Sequence, residues 1–192
     1  MSAADKQRLI VGISGASGIV YGIETLRQLR LAGVESHLVV SKAAMQTLRH
    51  ESELSLKDLQ ALADVCYSNQ DIGAAIASGS FRTAGMIVAP CSIRSMSEIA
   101  SGLSASLLSR AADVILKERR RLVLLVRETP LHAGHLNSML ELTHMGGIIM
   151  PPVPAFYTRP ETIDDIVSQS VARALDLFTI DTGTLKRWHG PE

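Results

Sequence analysis

The sequence predicts an α/β fold, in which helices cover both faces of a doubly wound, mostly parallel sheet to give a Rossmann-like three-layer sandwich. Short apolar runs alternate along the chain with stretches whose apolar residues recur at helical spacing. The runs are continuous in apolar residues, which is typical of strands buried on both faces. A glycine-rich turn, residues 12–18, joins the first run to the first helix. Because ligands of such sheets bind beyond the carboxyl ends of strands, the loops there are the candidates for function.

The first half of the chain repeats a strand–helix unit. Gly33 stands where a helix C-cap glycine is expected, and Ser41 and Ser55 are typical N-caps. Residues 68–83 are weakly patterned. The predicted elements are a strand at 8–13, a helix at 21–31, a strand at 36–40, a helix at 42–49 and a short helix at 55–63.

The second half of the chain continues the alternation. Its predicted elements are a strand at 86–89, a polar turn at 90–95 before a helix, a helix at about 104–118, a strand at 122–126, a helix at about 132–145, a short strand at 147–150 and a helix at 163–178. We expect one domain over residues 1–192, with a tail from about 179 to 192 that packs on a neighbouring subunit.

Composition narrows the class of protein. Lysine plus arginine and aspartate plus glutamate both number 19, so a general nucleic-acid partner is not expected. No apolar run reaches the roughly 20 residues that span a bilayer, and two cysteines are too few for a disulfide framework. The chain is therefore expected to be cytoplasmic, without a membrane partner. Its 46% hydrophobic content suggests buried subunit interfaces, hence a homo-oligomer.

The glycine turn is a candidate anion-binding loop. Gly12, Gly15 and Gly18 bring main-chain N–H groups, a serine hydroxyl and the amino end of a helix to one place. Their spacing differs from the dinucleotide motif GxGxxG, and Ser41 rather than an acidic residue ends the second strand. This favours a mononucleotide such as FMN over NAD. A tight turn with no ligand would have a similar sequence.

Two further loops follow strands. Ser92, Arg94 and Ser95 place hydroxyls and a guanidinium after one strand, and Arg127 and Glu128 follow another. These residues suit the polar edge of a ring system or a phosphate. A serine-rich N-cap and a surface ion pair are the simpler explanations of the two loops.

Other candidate residues lie on helices and in the tail. Arg110 and Lys117 are seven residues apart, so one helix face can present both to a phosphate. Tyr157 and Trp188 are conspicuous because aromatic residues are only 4% of the chain, and they suit an apolar pocket wall, a core or an interface. His132 and His135 lack the further ligands of a zinc set, so no metal is expected.

Taken together, these motifs resemble the UbiX-like flavin prenyltransferases over nearly the whole chain. The motifs that carry the resemblance are residues 12–18, 41–44, 90–92, 110–113, 116–120, 127–130 and 151–157. The resemblance implies a transferase that uses no metal. Reduced FMN would accept a dimethylallyl group from dimethylallyl phosphate, first at a central-ring nitrogen and then at a neighbouring carbon, to form prenylated FMN with a fourth ring.

The resemblance also implies roles for individual residues. The expected FMN contacts are Gly15, Ala16, Ser17, Ser41, Ser92, Ile93, Arg94, Ser95 and Arg127. The expected binding group for the prenyl phosphate is Arg110, Lys117, Glu128, Tyr157 and Arg173, with Trp188 as an apolar wall. Ring closure requires loss of a proton, for which Glu51 is the candidate base with Ser17 as relay, while Glu128 is a candidate acid and Lys117 stabilises the leaving phosphate.

Partners follow from the same resemblance. A separate UbiD-like decarboxylase would receive the prenylated FMN for aromatic acid decarboxylation, as in ubiquinone biosynthesis, and the family commonly forms dodecamers with sites at subunit junctions. Two other functions remain open at this point. One is an FMN-dependent cysteine decarboxylase, although its catalytic histidine and asparagine motif are not found here. The other is a non-catalytic FMN carrier, which gives no reason for the phosphate-binding group.

Overall fold

The computed structural model describes residues 6–188 and residue 190, and within them the predicted alternation of strands and helices is present. The strands are β1 (Arg8–Ile13), β2 (Glu35–Val40), β3 (Val65–Tyr67), β4 (Gly85–Cys91), β5 (Arg121–Val126) and β6 (Ile148–Ile149). The helices are α1 (Ile19–Leu31), α2 (Lys42–Glu51), α3 (Leu56–Gln60), α4 (Ile93–Ala100), α5 (Leu107–Lys117), α6 (Ala133–His144) and α7 (Ile163–Asp176). Short 3-10 turns lie at Ala75–Ala77 and Phe156–Thr158.

The strands form one sheet in the order β3-β2-β1-β4-β5-β6, and every pair is parallel. The predicted doubly wound α/β class is confirmed. The chain runs outward from β1 to β3, then crosses back to β4 on the other side of β1. This reversal puts a switch point between the carboxyl ends of β1 and β4, which is where ligands of such sheets bind.

Each face of the sheet supports its own core because successive strand residues point to opposite sides. In β1, Leu9, Val11 and Ile13 pack towards α1, α2, α3 and α7, whereas Ile10 packs towards α4, α5 and α6. The four central strands, β1, β2, β4 and β5, are largely buried, which explains their continuous apolar sequences.

Differences from the sequence prediction concern short or capped elements. The edge strand β3 was not predicted, since its three residues are half-buried or exposed and form no apolar run. The predicted helix at 104–118 begins at Leu107, because Ser106 forms a capping box with Ser109. Within the described part of the chain, no helix is long and apolar enough to cross a membrane.

Candidate functional site at the sheet switch point

The amino ends of three helices meet at the carboxyl edge of the sheet. α1 follows β1 through the glycine loop (residues 14–18), α2 follows β2 at Ser41, and α4 follows β4 at Ser92. The Ser41 and Ser92 hydroxyls cap their helices, accepting from Ala44 N at 3.1 Å and Ser95 N at 3.3 Å. Three helix dipoles therefore direct positive potential towards one place.

Ser14 holds the glycine loop against the loop that follows β4. Its side chain is fully buried, and its Oγ donates to the Pro90 carbonyl at 3.0 Å and accepts from Ser92 N at 2.7 Å. The Ser14 amide donates to the same carbonyl at 3.2 Å. Sequence reasoning missed this residue, although a serine inside a glycine-rich turn beside a switch point was the available signal. The two loops consequently act as one rigid rim.

Two glycines let neighbouring groups approach the loop closely. A Cβ on Gly15 would collide with the Ala43 methyl group, so this position packs the loop directly on α2. Gly18 has φ 103°, and a Cβ there would lie 2.8 Å from Cδ of Arg127. Glycine at 18 thus allows Arg127 to lie along the loop. The Arg127 guanidinium also stacks over the Tyr21 ring at 5.6 Å, which places a permanent cation beside the loop.

Glu51, at the end of α2, lies across the beginning of α1. Its Oε2 accepts from Gly18 N at 2.7 Å and Ile19 N at 3.0 Å. Part of the expected anion cradle therefore binds a carboxylate of the chain itself. Burial by itself raises the pKa of the Glu51 carboxyl group. The hydrogen bonds from the Ser17 hydroxyl and these two amides, together with the Arg127 charge, lower it by more than burial raises it, so the pKa lies below the usual value.

The residues expected to contact FMN surround this rim in adjoining depressions. One depression of about 360 Å³ is lined by Gly15, Ala16, Ser17, Ser92, Ile93, Arg127, Glu128 and Thr129. A second lies between Ser41, Ser92, Arg94 and Ser95, and Gly15 also lines it. The structure thus brings all nine predicted FMN residues to one edge. The backbone amides, the hydroxyls and the guanidinium at this edge fit a phosphate and a planar polar ring.

A further cavity of about 600 Å³ lies beside the edge strand β3. Tyr67, Cys66 and Met45 give it a largely apolar wall, and Lys42 and Asn69 separate it from the glycine loop. No residue that the sequence singled out for FMN lines this cavity.

The residues expected to bind the donor phosphate are dispersed in a single chain. Glu128 follows β5 and lies at the switch-point site, at the carboxyl ends of the strands. Lys117 precedes β5 and lies at the amino ends of the strands. At about 3.3 Å per residue, a six-residue strand separates the two by roughly 20 Å. Arg110 lies within α5, near the carboxyl edge, and pairs with Asp113 at 2.6 Å.

Tyr157, Arg173 and Trp188 form a separate cluster with the tail. They line a depression of about 470 Å³ together with Asp176, Lys186 and Arg187. The Tyr157 ring meets the Trp188 ring edge-on at 5.6 Å, and its hydroxyl donates to the Lys186 carbonyl at 3.3 Å. The tail therefore packs on its own chain as far as residue 188. His189 and residues 191–192 lie outside the described residues, and packing on a neighbouring subunit stays a prediction.

The rings of His132 and His135 lie against each other, with centroids 3.6 Å apart and planes tilted by 31°. His132 Nδ1 accepts from Gly134 N at 3.0 Å, so it caps α6. Among residues 6–188 and 190, no three histidine, cysteine, aspartate or glutamate side chains gather closely enough to hold a metal ion.

This chain is similar to known proteins in both sequence and fold. The Flavoprotein family matches residues 2–175. The flavin prenyltransferase UbiX of Thauera aromatica is 53% identical over 185 residues, covering 96% of this chain and 95% of that protein.

Solved structures agree with this. A crystal structure of AnUbiX (PadA1) in complex with FMN and dimethylallyl pyrophosphate has a TM-score of 0.95 at 50% identity, covering 97% of this chain and 100% of that one. A dodecameric FMN-dependent UbiX-like decarboxylase from Escherichia coli O157:H7 has a TM-score of 0.93 at 49% identity, covering 96% and 100%.

The cysteine decarboxylases are more distant. The peptidyl-cysteine decarboxylase EpiD has a TM-score of 0.66 at 13% identity, covering 91% of this chain and 99% of that one, which is a likeness of fold alone. Full-length identity above 50% to a named flavin prenyltransferase, with the family match, decides the classification. The chain belongs to the flavoprotein family and, within it, to the UbiX-like flavin prenyltransferases.

Proposed function

We propose that this protein transfers a dimethylallyl group from dimethylallyl phosphate to reduced FMN. The observation that carries the proposal is the rim at the switch point, where a glycine loop, three helix amino ends and Arg127 converge. The AnUbiX complex supports it, because that protein, 50% identical to this chain, binds FMN and dimethylallyl pyrophosphate.

FMN is held at the rim. Gly15, Ala16 and Ser17 supply close backbone and a hydroxyl for its phosphate, with Arg127 as the counter-ion. The loop of Ser92–Ser95 forms the adjoining wall for the ring system. FMN serves as the acceptor, and when reduced it is the electron-rich nucleophile for an allylic carbon.

The donor phosphate requires cations because breaking the allylic C–O bond leaves the electron pair and a growing negative charge on the phosphate. Arg110, Lys117 and Arg173 neutralise that charge, and the Tyr157 hydroxyl donates a hydrogen bond to it. Trp188 offers an aromatic face to the allylic cation that remains. Glu128 is the candidate acid of this group.

Binding of one donor by the whole group requires several subunits, because the fold disperses these residues within one chain. Lys117 and Glu128 lie at opposite edges of one sheet, so a single small donor cannot touch both in the same protomer. A closed assembly in which each subunit contributes a different face removes the conflict. The E. coli O157:H7 neighbour, described as dodecameric at 49% identity, supports an assembly of that kind.

Ring closure ends with the loss of a proton from the prenylated flavin. The pKa of Glu51 lies below the usual value, so its carboxylate is unprotonated at neutral pH and can receive the proton, as a weaker base than an ordinary glutamate. Its hydrogen bond with Ser17 gives a relay from the rim to the carboxylate. The product, prenylated FMN, then passes in the cytoplasm to a UbiD-like decarboxylase.

The test is the mass of the flavin after anaerobic incubation of the protein with reduced FMN and dimethylallyl phosphate. The proposal predicts a gain of one five-carbon prenyl unit that requires both the protein and the donor. An unchanged flavin together with decarboxylation of a peptidyl cysteine would identify the alternative enzyme. An unchanged flavin that is merely bound and released would identify a carrier.

A further inference from the structure

Each cation assigned to the donor phosphate already faces a carboxylate of its own chain. The pairs are Arg110 with Asp113 at 2.6 Å, Lys117 with Glu118 at 2.7 Å and Arg173 with Asp176 at 3.1 Å. A phosphate that binds one of these cations competes with that carboxylate. Unless the carboxylate has another partner, its charge is left uncompensated next to the incoming anion.

Asp176 is the carboxylate of the three with the closer second cation. Arg120 lies 4.0 Å from Glu118 Oε2, whereas Arg187 hydrogen-bonds to Asp176. Arg173 reaches Oδ2 through Nη1 at 3.1 Å. Arg187 engages both oxygens, with Nη1 on Oδ2 at 3.2 Å and Nη2 on Oδ1. A two-point guanidinium–carboxylate pair fixes geometry as well as charge. Asp176 therefore keeps a cation when Arg173 turns to a phosphate.

Arg187 belongs to the tail, next to Trp188. Gln169, which is buried on α7, fixes the preceding residue through a reciprocal pair: its Nε2 donates to the Lys186 carbonyl at 2.8 Å, and its Oε1 accepts from Lys186 N at 3.0 Å. The tail is thus latched to α7 at two successive residues, by an amide pair at Lys186 and by the ion pair at Arg187.

We propose that Asp176 is a positioning residue that exchanges its two arginines when the donor binds. In the free chain Asp176 is shared by Arg173 and Arg187; when the donor phosphate takes Arg173, Asp176 pairs with Arg187 alone. The exchange keeps Trp188 docked beside the donor while the phosphate is held. This inference rests on the proposed function, in which Arg173 binds the donor phosphate.

The electrostatics of the pair agree with that order of partners. The hydrogen bond from Arg187 is the main cause that holds the pKa of Asp176 below its usual range, against the opposing effect of burial, and Arg173 contributes less. The same bond raises the pKa of Arg187. Arg187 is consequently the stronger partner and Arg173 the more readily released.

The test uses two variants that break the latch in different ways. Trp188 is the single tryptophan of the chain, so tryptophan anisotropy reports tail docking directly. Asp176→Asn and Arg187→Gln should both lower the anisotropy and kcat. The KM for dimethylallyl phosphate should move in opposite directions in the two variants. It should fall in Asp176→Asn, because Asp176 no longer competes with the phosphate for Arg173. It should rise in Arg187→Gln, because Asp176 then pairs with Arg173 alone. Each shift is expected to be about two- to fivefold, as for partly exposed ion pairs.

Two further variants complete the test. Asp164→Asn makes the same charge change in the first turn of α7, away from the latch, and should leave KM unchanged, and Asp176→Glu should restore docking. KM values that move together, or do not move, would overturn the exchange while leaving flavin prenylation intact. If the wild type makes no prenylated flavin, the proposed function fails. The exchange is then tested by titrating the protein with inorganic phosphate, with Trp188 anisotropy as the readout. The apparent affinities for phosphate should then diverge in the same two directions.

Discussion

The Glu51 carboxylate is placed where the sequence led us to expect only a bound phosphate. It accepts two amides at the amino end of α1, so an internal anion offsets the helix dipole there. An incoming FMN phosphate must therefore use the remaining loop amides, the hydroxyls and Arg127. This arrangement gives Glu51 a structural role as well as its proposed catalytic one, and the two roles are separable by experiment.

Replacing the Glu51 carboxylate by an amide tests both roles. Glu51→Gln should stall ring closure after the first bond has formed while FMN stays bound, because an amide cannot accept the proton. Since the side chain is largely exposed, the unfolding free energy should fall by only about 0.5–1 kcal/mol. Mass spectrometry of the flavin and urea unfolding measure the two effects.

Glu53→Gln, two residues along, is the matched control. It should change neither the flavin product nor the stability by a measurable amount. If Glu51→Gln closes the fourth ring at the wild-type rate, another group is the base.

Stability should depend on pH through the same carboxylate. The pKa of Glu51 is lower in the folded chain than the usual value of a glutamate carboxyl group. A depressed folded pKa means that the stabilisation is complete above the unfolded pKa and is lost as pH falls through the folded value. The stability difference between wild type and Glu51→Gln should thus be constant from pH 7 to about 5.5 and shrink below about 4.5. A difference that grows as the pH falls would contradict this assignment.

The common location of the residues expected to contact FMN was predictable from sequence. They immediately follow strands, and parallel strands bring such loops together at their carboxyl ends. Arg127 and Ser92 are examples. The bond from Glu51 to the glycine loop was not predictable. It joins positions 33 residues apart through main-chain donors, which carry no sequence signal.

Two loops of the site behave as one unit because Ser14 joins them. β1 and β4 are adjacent in the sheet, and the buried Ser14 hydroxyl continues their pairing beyond the last ladder residues by contacting Pro90 and Ser92. Such a contact fixes the spacing between the two halves of the rim. Binding geometry at the rim should therefore depend on this single hydroxyl.

Removing the hydroxyl leaves the Ser92 amide without that acceptor. Ser14→Ala should lower the unfolding free energy by about 1–3 kcal/mol, the usual range for a buried donor that loses its partner. It should also weaken FMN binding, because the loops are no longer held together. Chemical unfolding and FMN titration are the measurements. Ser101→Ala, at the exposed end of α4, is the control. It removes a hydroxyl that is hydrogen-bonded only within its helix and should change FMN binding little. Equal losses of FMN affinity in both variants would mean that Ser14 has no special role.

Most elements were predictable because long buried strands and capped amphipathic helices have strong sequence patterns. β1, β2 and β5 differ from their predicted bounds by at most one residue. The edge strand β3 shows the limit of this reasoning. Its pairing with β2 depends on main-chain bonds from an outer, partly exposed position, where side chains are not restricted to apolar types.

The residues expected to bind the donor phosphate differ from the FMN group, because the family resemblance assigned five residues to one site and the fold disperses them within one chain. One face of α5 presents both Arg110 and Lys117. However, α5 runs from the carboxyl ends of the strands to their amino ends, so Lys117 lies far from Glu128. No property of a single chain brings these two together. Under the proposed function, their common role depends on an assembly of subunits. Such an assembly would also cover exposed apolar side chains such as Leu136 and Phe156.

A shared site predicts complementation between two inactive variants. Lys117→Ala and Arg127→Ala should each make little prenylated FMN. Co-expressed in one cell, they should form mixed assemblies in which about a quarter of the sites combine intact halves from two protomers. The same variants purified separately and then mixed without dissociation provide the control. Activity no higher after co-expression than in that control would mean that each site lies within one chain.

The most direct measurement is a crystal structure of the protein with FMN and dimethylallyl phosphate bound. The account predicts the FMN phosphate at the glycine loop beside Arg127, with the donor phosphate contacted by Lys117 and Arg173 from other protomers. FMN in the cavity beside Tyr67, or a donor phosphate that neither Lys117 nor Arg173 touches, would contradict it.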